Sequence, residues 1–386
     1  MPFPHEVYKT QRIVPIRFAR AGVGFPIINF PDIDDRGWFR NAPTGNNAAT
    51  NDHGFVVGVT QGDTVFIQLT REKVEDTSPL FVTSSNTATM TCGMAGTGAD
   101  ALLNIHDINI QVTGVAGGAA ADPNIARVQV RHGSNTGPII GELSVWVFRV
   151  LNVNLVPHNV TIAGAGGGAG IGSAVNITAV TDMVKAIWRP CGVDFTVAAV
   201  QNHNLNFATA GVAAWQGEVN TILGTGFVAG SINAYFVNQI QMAGFPGVLG
   251  VGISRPNQVA FGTPNPGIIL GDTNASGSAR AGDTHWLAND LAHEIGHFFT
   301  LEHPDKRSPP PNTNTRFDTW AVRMLMHNFN LRAARTDWRN DVTYGPQRRG
   351  CLITMKDLVD SGNAVHHSTD NECRTARAAA IVPGNF

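Results

Sequence analysis

One stretch of the sequence, residues 290–303, constrains the fold more than any other. It reads Asp-Leu-Ala-His-Glu-Ile-Gly-His-Phe-Phe-Thr-Leu-Glu-His. His293 and His297 are four residues apart, and on a helix such residues lie on the same face, so both imidazoles can bind one metal ion. Glu294 lies beside them, where it can accept a proton from a metal-bound water. The stretch therefore predicts a helix that holds a metal site.

His303 is the predicted third ligand, because a chain that turns sharply after the helix can bring it back to the metal. Three protein ligands and one open position form a catalytic zinc site, whereas a structural zinc takes four protein ligands. The alternative is a fortuitous match on an ordinary amphipathic core helix. The helix is predicted to begin near Asp283 or Thr284, which are good N-caps. Its predicted core stripe is Leu287, Leu291, Ile295 and Phe298 or Phe299, and Ala292 and Gly296 are expected to leave room for a substrate or a main-chain segment to approach the metal.

Residues 1–152 are predicted to form an all-β, sandwich-like domain with an accessory or binding role. Val, Ile, Phe and Thr are frequent in short segments there, and several segments alternate apolar and polar residues, as half-buried strands do. Turn signals rich in Gly and Asn separate them, a spacing typical of a β-sandwich. The predicted strands are residues 13–18, 55–59, 64–69, 105–112 and 126–131.

Residues 153–386 are predicted to form an α/β domain, so the fold class is α+β and multidomain. A long apolar run, residues 143–156, is expected to join the last strand of the first domain to the first strand of the second. A glycine-rich segment, residues 163–170, lacks the Gly-Lys-Ser/Thr of a phosphate-binding loop and is interpreted as a plain loop. The predicted elements before the motif are a helix at 175–189 and strands at 193–197, 234–238, 248–253 and 267–271.

This second part of the chain resembles the metzincin-type zinc metallopeptidases. That family has the motif H-E-x-x-H-x-x-G-x-x-H, followed by a methionine-containing turn beneath the metal. The resemblance implies a catalytic Zn²⁺, Glu294 as general base, and hydrolysis of peptide bonds. It also implies that residues 267–271 form an edge strand that pairs with extended substrate. The matching residues are His293, Glu294, His297 and His303, with Met326 in the methionine turn and Met324 as its alternative.

One residue of the motif differs from the metzincin pattern. Thr300 stands where the family has glycine, and a β-branched residue resists the positive φ that a sharp turn needs. The turn is therefore expected to differ in shape, or His303 is not a ligand. In a second ligand model, Asp341 and Tyr344 match part of the D-x-x-Y-G signature of the aspzincins, and Asp341 replaces His303. The alternative for Asp341 is a helix cap or a turn residue.

Three functions remain open at this stage. The first is a zinc-dependent endopeptidase that acts on a protein or peptide substrate. The second is a delivered toxin or effector protease with a narrow substrate, in which the β-domain is a docking module. The third is a catalytically silent zinc-binding or adhesive protein. Retention of Glu294 in the motif argues against this last one, because a purely structural zinc site has no use for a general base.

Charge and hydropathy argue against some classes of binding partner. A formal net charge of −2 without a long basic run argues against nucleic acid or an anionic membrane as the main partner. No run of about 18 apolar residues is present, so no membrane span is expected. The N-terminus lacks the pattern of a signal peptide. Export by another route is expected, with a removed leader or action in the cytoplasm as alternatives, and the oligomeric state stays open.

The aspartates near residue 34 and the four cysteines are further candidates for a structural or metal-binding role. Asp32, Asp34 and Asp35 resemble the start of a calcium loop, but Pro43 stands where an EF-hand has Glu, so a solvated turn is the preferred interpretation and Ca²⁺ the alternative. The cysteines allow a local disulfide between Cys351 and Cys373. The other two, Cys92 and Cys191, are predicted to be buried thiols.

Overall fold

The computed structural model describes residues 16–21, 31, 33–34, 55–71, 78–94, 101–102, 107–119, 121–215, 217–242, 248–274, 283–301, 325–326, 353–355 and 372–382. In these residues the protein is mixed α/β, with strands predominating and several sheets, which confirms the predicted fold class at that level. No helix in this part of the chain is long and apolar enough to cross a membrane.

Contacts divide the chain into two compact units. The main segment of the first unit ends at Val150, beside the predicted boundary after residue 152. This unit also takes in Pro190–Gly192 and Met355, which the sequence had placed in the second domain. The second unit contains Leu151–Arg189, the described residues between Val193 and Thr354, and the last helix.

The first unit consists of strands in two sheets. One sheet has the order β1-β3-β7-β5 and is antiparallel throughout, and the other has the order β2-β9-β8-β4-β6 with β2 parallel to β9. The strands are β1 (Ile16–Arg20), β2 (Phe55–Thr60), β3 (Thr64–Arg71), β4 (Leu80–Ser84), β5 (Met90–Met94), β6 (Ala101–Leu102), β7 (Asp107–Gly114), β8 (Asn124–His132) and β9 (Ile139–Phe148).

Both sheets of the first unit contribute to one apolar core. In β3 the side chains alternate between buried and half-buried, with Ile67 and Leu69 facing inward. Val128 and Val145 of the other sheet belong to the same cluster of buried side chains. This alternation is what a strand with one face toward a core requires, and it explains why the sequence located these strands correctly.

Asp34 has a structural role in the first unit. Its side chain is fully buried, and Oδ2 accepts a hydrogen bond from the main-chain N–H of Met355 at 2.9 Å. A buried donor needs such an acceptor, since an unpaired one costs about 1 to 3 kcal/mol. The interpretation of Asp34 as part of a solvated turn is therefore wrong. Asp32, Asp35 and Pro43 lie outside the described residues, so calcium binding there stays a prediction.

The second unit combines a largely parallel sheet with helices. Its first strand begins at Leu151, after a break at residues 149–150, so the run at 143–156 is two strands in different sheets rather than one. The strands are β10 (Leu151–Gly164), β11 (Val193–Val197), β12 (Gln201–Phe207), β13 (Val212–Ala214), β14 (Ile232–Gln241), β15 (Gly250–Ile253) and β16 (Gly267–Asn274); the helices are α1 (Ile177–Trp188), α2 (Gly217–Gly224), α3 (Gln258–Phe261), α4 (Thr284–Phe298) and α5 (Glu372–Ala380), with 3₁₀ turns at Arg189–Cys191 and Arg255–Asn257.

The strand order corrects the predicted edge of this sheet. The order is β11-β10-β14-β16-β15, with β12 beside β10 and β13 beside β14, and only β15 runs antiparallel to its neighbour. Among the described strands β15 is therefore an edge strand, whereas residues 267–271 lie inside the sheet. Ile268, Ile269 and Leu270 are at most 1% exposed, because β16 has neighbours on both sides and is covered on both faces, as its unbroken apolar run requires.

The cysteines are thiols wherever the structure describes them. Cys191 is buried and Cys92 is half-buried, which agrees with the expectation for Cys191 and only in part for Cys92. Cys373 is a buried thiol on α5, so the suggested disulfide with Cys351 is wrong.

A buried histidine links three strands of the second unit. Asn233 donates through Nδ2 to the carbonyls of Val228 and Ser231, so its Oδ1 must accept from His158 Nε2–H at 3.0 Å. His158 Nδ1 then accepts from His203 Nε2–H, also at 3.0 Å, and the His158 ring stacks on Tyr235. His158 is 0% exposed. Burial lowers its pKa from 6.5 to about 4, although the hydrogen bond to Asn233 opposes this shift.

This histidine is expected to make the protein less stable in acid. The folded state holds His158 neutral while the unfolded chain is protonated below about pH 6.5, so stability falls as the pH drops from there to about 4. The loss is on the order of 3 kcal/mol in unfolding free energy. Urea unfolding at several pH values measures it. A His158→Gln variant, which cannot be protonated, should lose less stability over the same range, and an equal loss in both proteins would contradict this prediction.

Candidate metal centre

Helix α4 begins and packs as its sequence predicts. Asp283 is the N-cap, and its Oδ1 accepts a hydrogen bond from the Trp286 N–H at 3.1 Å, which satisfies one of the open donors of the first turn. Both predictions for this helix, its start and its core stripe, are confirmed. The buried stripe is Leu287, Leu291, Ile295, Phe298 and Phe299.

Helix α1 holds α4 at the position of the metal motif. Trp188 Nε1–H donates to the main-chain carbonyl of Ala292 at 3.3 Å, one residue before His293. The Trp188 ring also contacts Phe299 edge to face, with 5.1 Å between ring centroids. A tryptophan contributes a large buried surface and one N–H donor, so this residue fixes both ends of the motif. The sequence did not identify its role, because nothing in the pattern of α1 distinguishes Trp188 from other core residues.

The two motif histidines share one face of α4 and have the same tautomer. Their ring centroids are 4.9 Å apart, with the ring planes at 89°. His293 Nδ1 lies 2.8 Å from the carbonyl oxygen of Leu325, and His297 Nδ1 lies 2.8 Å from that of Leu301. A carbonyl oxygen can only accept, so each Nδ1 carries a proton, and Nε2 is the ring nitrogen with which each histidine would bind a metal. Metal-binding histidines are oriented in this way.

The end of α4 has the bend that the family builds with glycine. Thr300 has φ +64°, and in the described part of the chain no other non-glycine residue has a positive φ. The N–H of Thr300 bonds the carbonyl of His297, and the N–H of Leu301 bonds that of Gly296. These are the two bonds of a Schellman ending. The turn is therefore shaped as glycine would shape it, and it places the Leu301 carbonyl against His297.

Replacing Thr300 by glycine is expected to stabilise the protein. A left-handed conformation costs an L-residue about 1 to 2 kcal/mol, and a glycine has a larger entropy cost on folding of about 0.5 to 1 kcal/mol. The net gain in unfolding free energy should be about 0.5 to 1 kcal/mol, measured by urea denaturation. Thr300→Ala, which keeps a β-carbon, is the matched control and should gain less. A Thr300→Gly protein less stable than the wild type would show that the turn differs in solution.

Met326 packs directly against α4 at Gly296. It is fully buried in a turn with Leu325, the residue whose carbonyl accepts from His293. A β-carbon at Gly296 would overlap the Met326 sulfur. The sequence predicts room for a substrate or a main-chain segment beside Gly296. The Met326 side chain fills this space instead. Glycine is needed there because only hydrogen leaves room for this methionine.

Glu294 lies between α4 and the edge strand β15. It is 9% exposed, and its carboxylate lies over the main chain at Gly250 and Gly252. This contact is not predictable from the sequence, since it joins residues that are distant along the chain. The same holds for the carbonyls of Leu301 and Leu325, because any residue type supplies a main-chain acceptor.

The structure thus brings together His293, Glu294, His297 and Met326. Within the described residues no three His, Cys, Asp or Glu side chains form a metal-binding group. The third ligand stays a prediction on either model, since its candidates lie outside the described residues. These candidates are His303 and Asp341, and Tyr344 of the second ligand model and Met324, the alternative methionine, also lie outside the described residues.

Comparison with known proteins does not assign a function. No protein-family model matches the sequence, and no curated protein matches it significantly. Any functional conclusion therefore depends on the residues and geometry of this site.

Proposed function

We propose that the second unit is a zinc-dependent endopeptidase that resembles the metzincins. The observation that carries this proposal is the shared tautomer of His293 and His297 on one helix face, each with Nδ1–H bonded to a main-chain carbonyl. With Nδ1 of each ring held by a carbonyl, Nε2 is the nitrogen that each histidine would offer to a metal. The second feature in support is the adjacent Glu294, which a structural zinc site does not require.

The residues present suit zinc. Imidazole nitrogen is a favoured zinc ligand, and a carbonyl bonded to the other ring nitrogen raises the basicity of that ligand. His293 and His297 would hold the ion, with His303 as the proposed third ligand and Asp341 as its alternative. When bound, zinc would act as a Lewis acid toward a substrate carbonyl and would lower the pKa of water.

Glu294 would carry out the proton transfers. Its carboxylate accepts the proton of the attacking water and returns it to the nitrogen of the leaving amine. Helix α4 fixes the main chain of Glu294, and strand β15 lies directly under its carboxylate. The same strand, at the edge of the described sheet, would bind an extended peptide through its main-chain groups.

The bend at Thr300 and the methionine beneath the helix add to the likeness. Thr300 takes the conformation for which the family uses glycine, so the threonine does not argue against the resemblance. Met326 packs on Gly296, at the place where the family has its methionine turn. Together with the antiparallel edge strand, these features support the metzincin type over a fortuitous motif.

A zinc assay combined with a peptide digest tests the proposal. The purified chain should contain about one zinc ion and should cleave a mixture of peptides from denatured proteins. A chelator should stop the cleavage, and zinc should restore it while calcium does not. Sequencing the products would also give the side-chain preference. Zinc without cleavage would favour a silent binding protein, and a chain without zinc would overturn the proposal.

A further inference from the structure

We propose that Gly250 and Gly252 of β15 are positioning residues for the Glu294 carboxylate. This assignment rests on the proposed function, in which Glu294 is the general base. The two glycines leave the strand without side chains where the carboxylate lies, so the strand's main chain itself limits where the carboxylate can go. Neither residue would touch the reacting atoms, and their effect on the reaction would pass through Glu294.

At Gly252 the contact involves both the side chain and the main chain of Glu294. A β-carbon built at Gly252 would be 2.9 Å from Oε2, 2.9 Å from the main-chain oxygen and 3.3 Å from Cβ of Glu294. Separations under 3.0 Å require something to move. Since the main-chain oxygen belongs to α4, it cannot move alone, and a side chain at 252 would shift the helix or the strand.

At Gly250 the contact involves only side-chain atoms. A β-carbon there would be 2.9 Å from Leu270 Cδ2, 3.2 Å from Glu294 Oε1 and 3.3 Å from Glu294 Cγ. All three atoms are at or near the ends of flexible side chains, so they can give way without a shift of the helix. The two glycines therefore contact the two carboxylate oxygens separately, one oxygen each.

The register of the sheet shows that these contacts lie on one face. Gly250 pairs with Leu270 and Gly252 with Ile268 in the antiparallel ladder. Alternate residues of a strand point to the same face, so both glycines face α4. Val251 and Ile253 point to the opposite face and pack in the core on that side. Glycine is thus confined to the positions under Glu294, and apolar side chains occupy the others.

These contacts bear on catalysis because they set the position of the Glu294 carboxylate. A general base must stay within hydrogen-bond reach of the proton that it takes, and a displacement of about 1 Å can cost about 100-fold in rate. A side chain at 250 would push Oε1 aside, and one at 252 would push Oε2 and α4. At Gly250 only side-chain atoms have to give way, so α4 and its two imidazoles should stay in place and zinc binding should be affected much less than turnover.

Gly250→Ala and Gly252→Ala, with Gly217→Ala as the control, test the assignment by kinetics. Gly217 lies in the same unit, has no atom within 4 Å of an added β-carbon and has an ordinary φ. For Gly250→Ala we expect kcat to fall about 10- to 100-fold, with KM within about threefold of wild type and zinc content unchanged, and for Gly252→Ala, which also displaces α4, we expect kcat to fall at least as far. The control should keep its kcat. A rise in KM at unchanged kcat would overturn the assignment, because it would indicate loss of substrate binding by the strand.

A double-mutant cycle on the metal-free protein tests the contact without any activity. Glu294→Ala removes two of the three atoms that an added β-carbon at 250 would meet. The drop in the urea midpoint caused by Gly250→Ala should therefore shrink to about half or less in the Glu294→Ala background. An equal drop in the urea midpoint in both backgrounds would show that position 250 does not contact Glu294 and would overturn the assignment.

The two experiments separate this assignment from the proposed function. A wild-type protein without chelator-sensitive cleavage would overturn the proposed function and the assignment with it, even if the cycle showed coupling. An active wild type whose kcat is unaffected by both strand variants would overturn the assignment alone.

Discussion

Replacing Glu294 by glutamine is expected to lower kcat/KM for peptide cleavage by about 100- to 10,000-fold, the range typical of a general acid–base group. Glutamine has the same shape but cannot accept the proton of the attacking water. Its fit over Gly250 and Gly252 should be kept, since the space that the carboxylate occupies there also suits an amide. The fold and the zinc content should therefore change little.

Single-turnover and steady-state assays measure this loss, with zinc content determined on the same samples. Asp182→Asn is the matched control, because Asp182 is an exposed carboxylate on α1 and its loss removes the same charge. It should retain wild-type kcat/KM. A Glu294→Gln protein that cleaves as fast as wild type would falsify the proposed mechanism.

Replacing His293 by alanine should have a comparably large effect, through the metal. Loss of an outer partner of a metal ligand typically lowers metal affinity 10- to 100-fold, and loss of the ligand itself should cost more. Bound zinc should fall from about one per chain to a small fraction, and cleavage should fall with it. The change also leaves the Leu325 carbonyl without its donor, so unfolding free energy should drop by about 1 to 3 kcal/mol.

Zinc measured after dialysis and unfolding followed by circular dichroism distinguish these two losses. His132→Ala, a histidine in the first unit at the end of β8, should retain zinc and activity. A His293→Ala protein with normal zinc would show that His293 is not a ligand. If the variant is too unstable to purify, His297→Ala provides the same test, because His297 bonds the Leu301 carbonyl close by in sequence.

Local patterns predicted much of this structure. Period-two alternation located β3 and β7, and helix periodicity with a stop at Pro190 located α1. The cap at Asp283 located the start of α4. Each of these signals depends on a few neighbouring residues. In the metal motif the helix geometry alone brings His293 and His297 together, so this part of the site was predictable as well.

Contacts between distant residues were not predictable in the same way. The edge strand was assigned to residues 267–271, because the sequence does not show which strands pair. Ile268–Leu270 form an unbroken apolar run typical of a covered strand, whereas β15 alternates glycine with apolar residues. The carbonyls of Leu301 and Leu325 left no trace in the sequence, because every residue has one.

Thr300 shows how a rule about residue type can mislead. Its β-branched side chain argued against a left-handed turn, yet the structure places it there, with two hydrogen bonds that close the helix. These two hydrogen bonds, together with the one from His297 to the Leu301 carbonyl, outweigh the conformational cost of the left-handed backbone, which is about 1 to 2 kcal/mol. The backbone preference of a single residue contributes less to the folding free energy than several hydrogen bonds and packing contacts do.

The hydrogen bond from Met355 to Asp34 has a consequence for how the chain folds during synthesis. It joins residues 321 positions apart within the first unit. Domains usually fold on the ribosome in the order in which they emerge, but this unit cannot complete its core until residue 355 has been made. The second unit likewise waits for α5. Each unit should therefore stay incomplete until its last contributing segment, Met355 for the first unit and α5 for the second, has emerged from the ribosome.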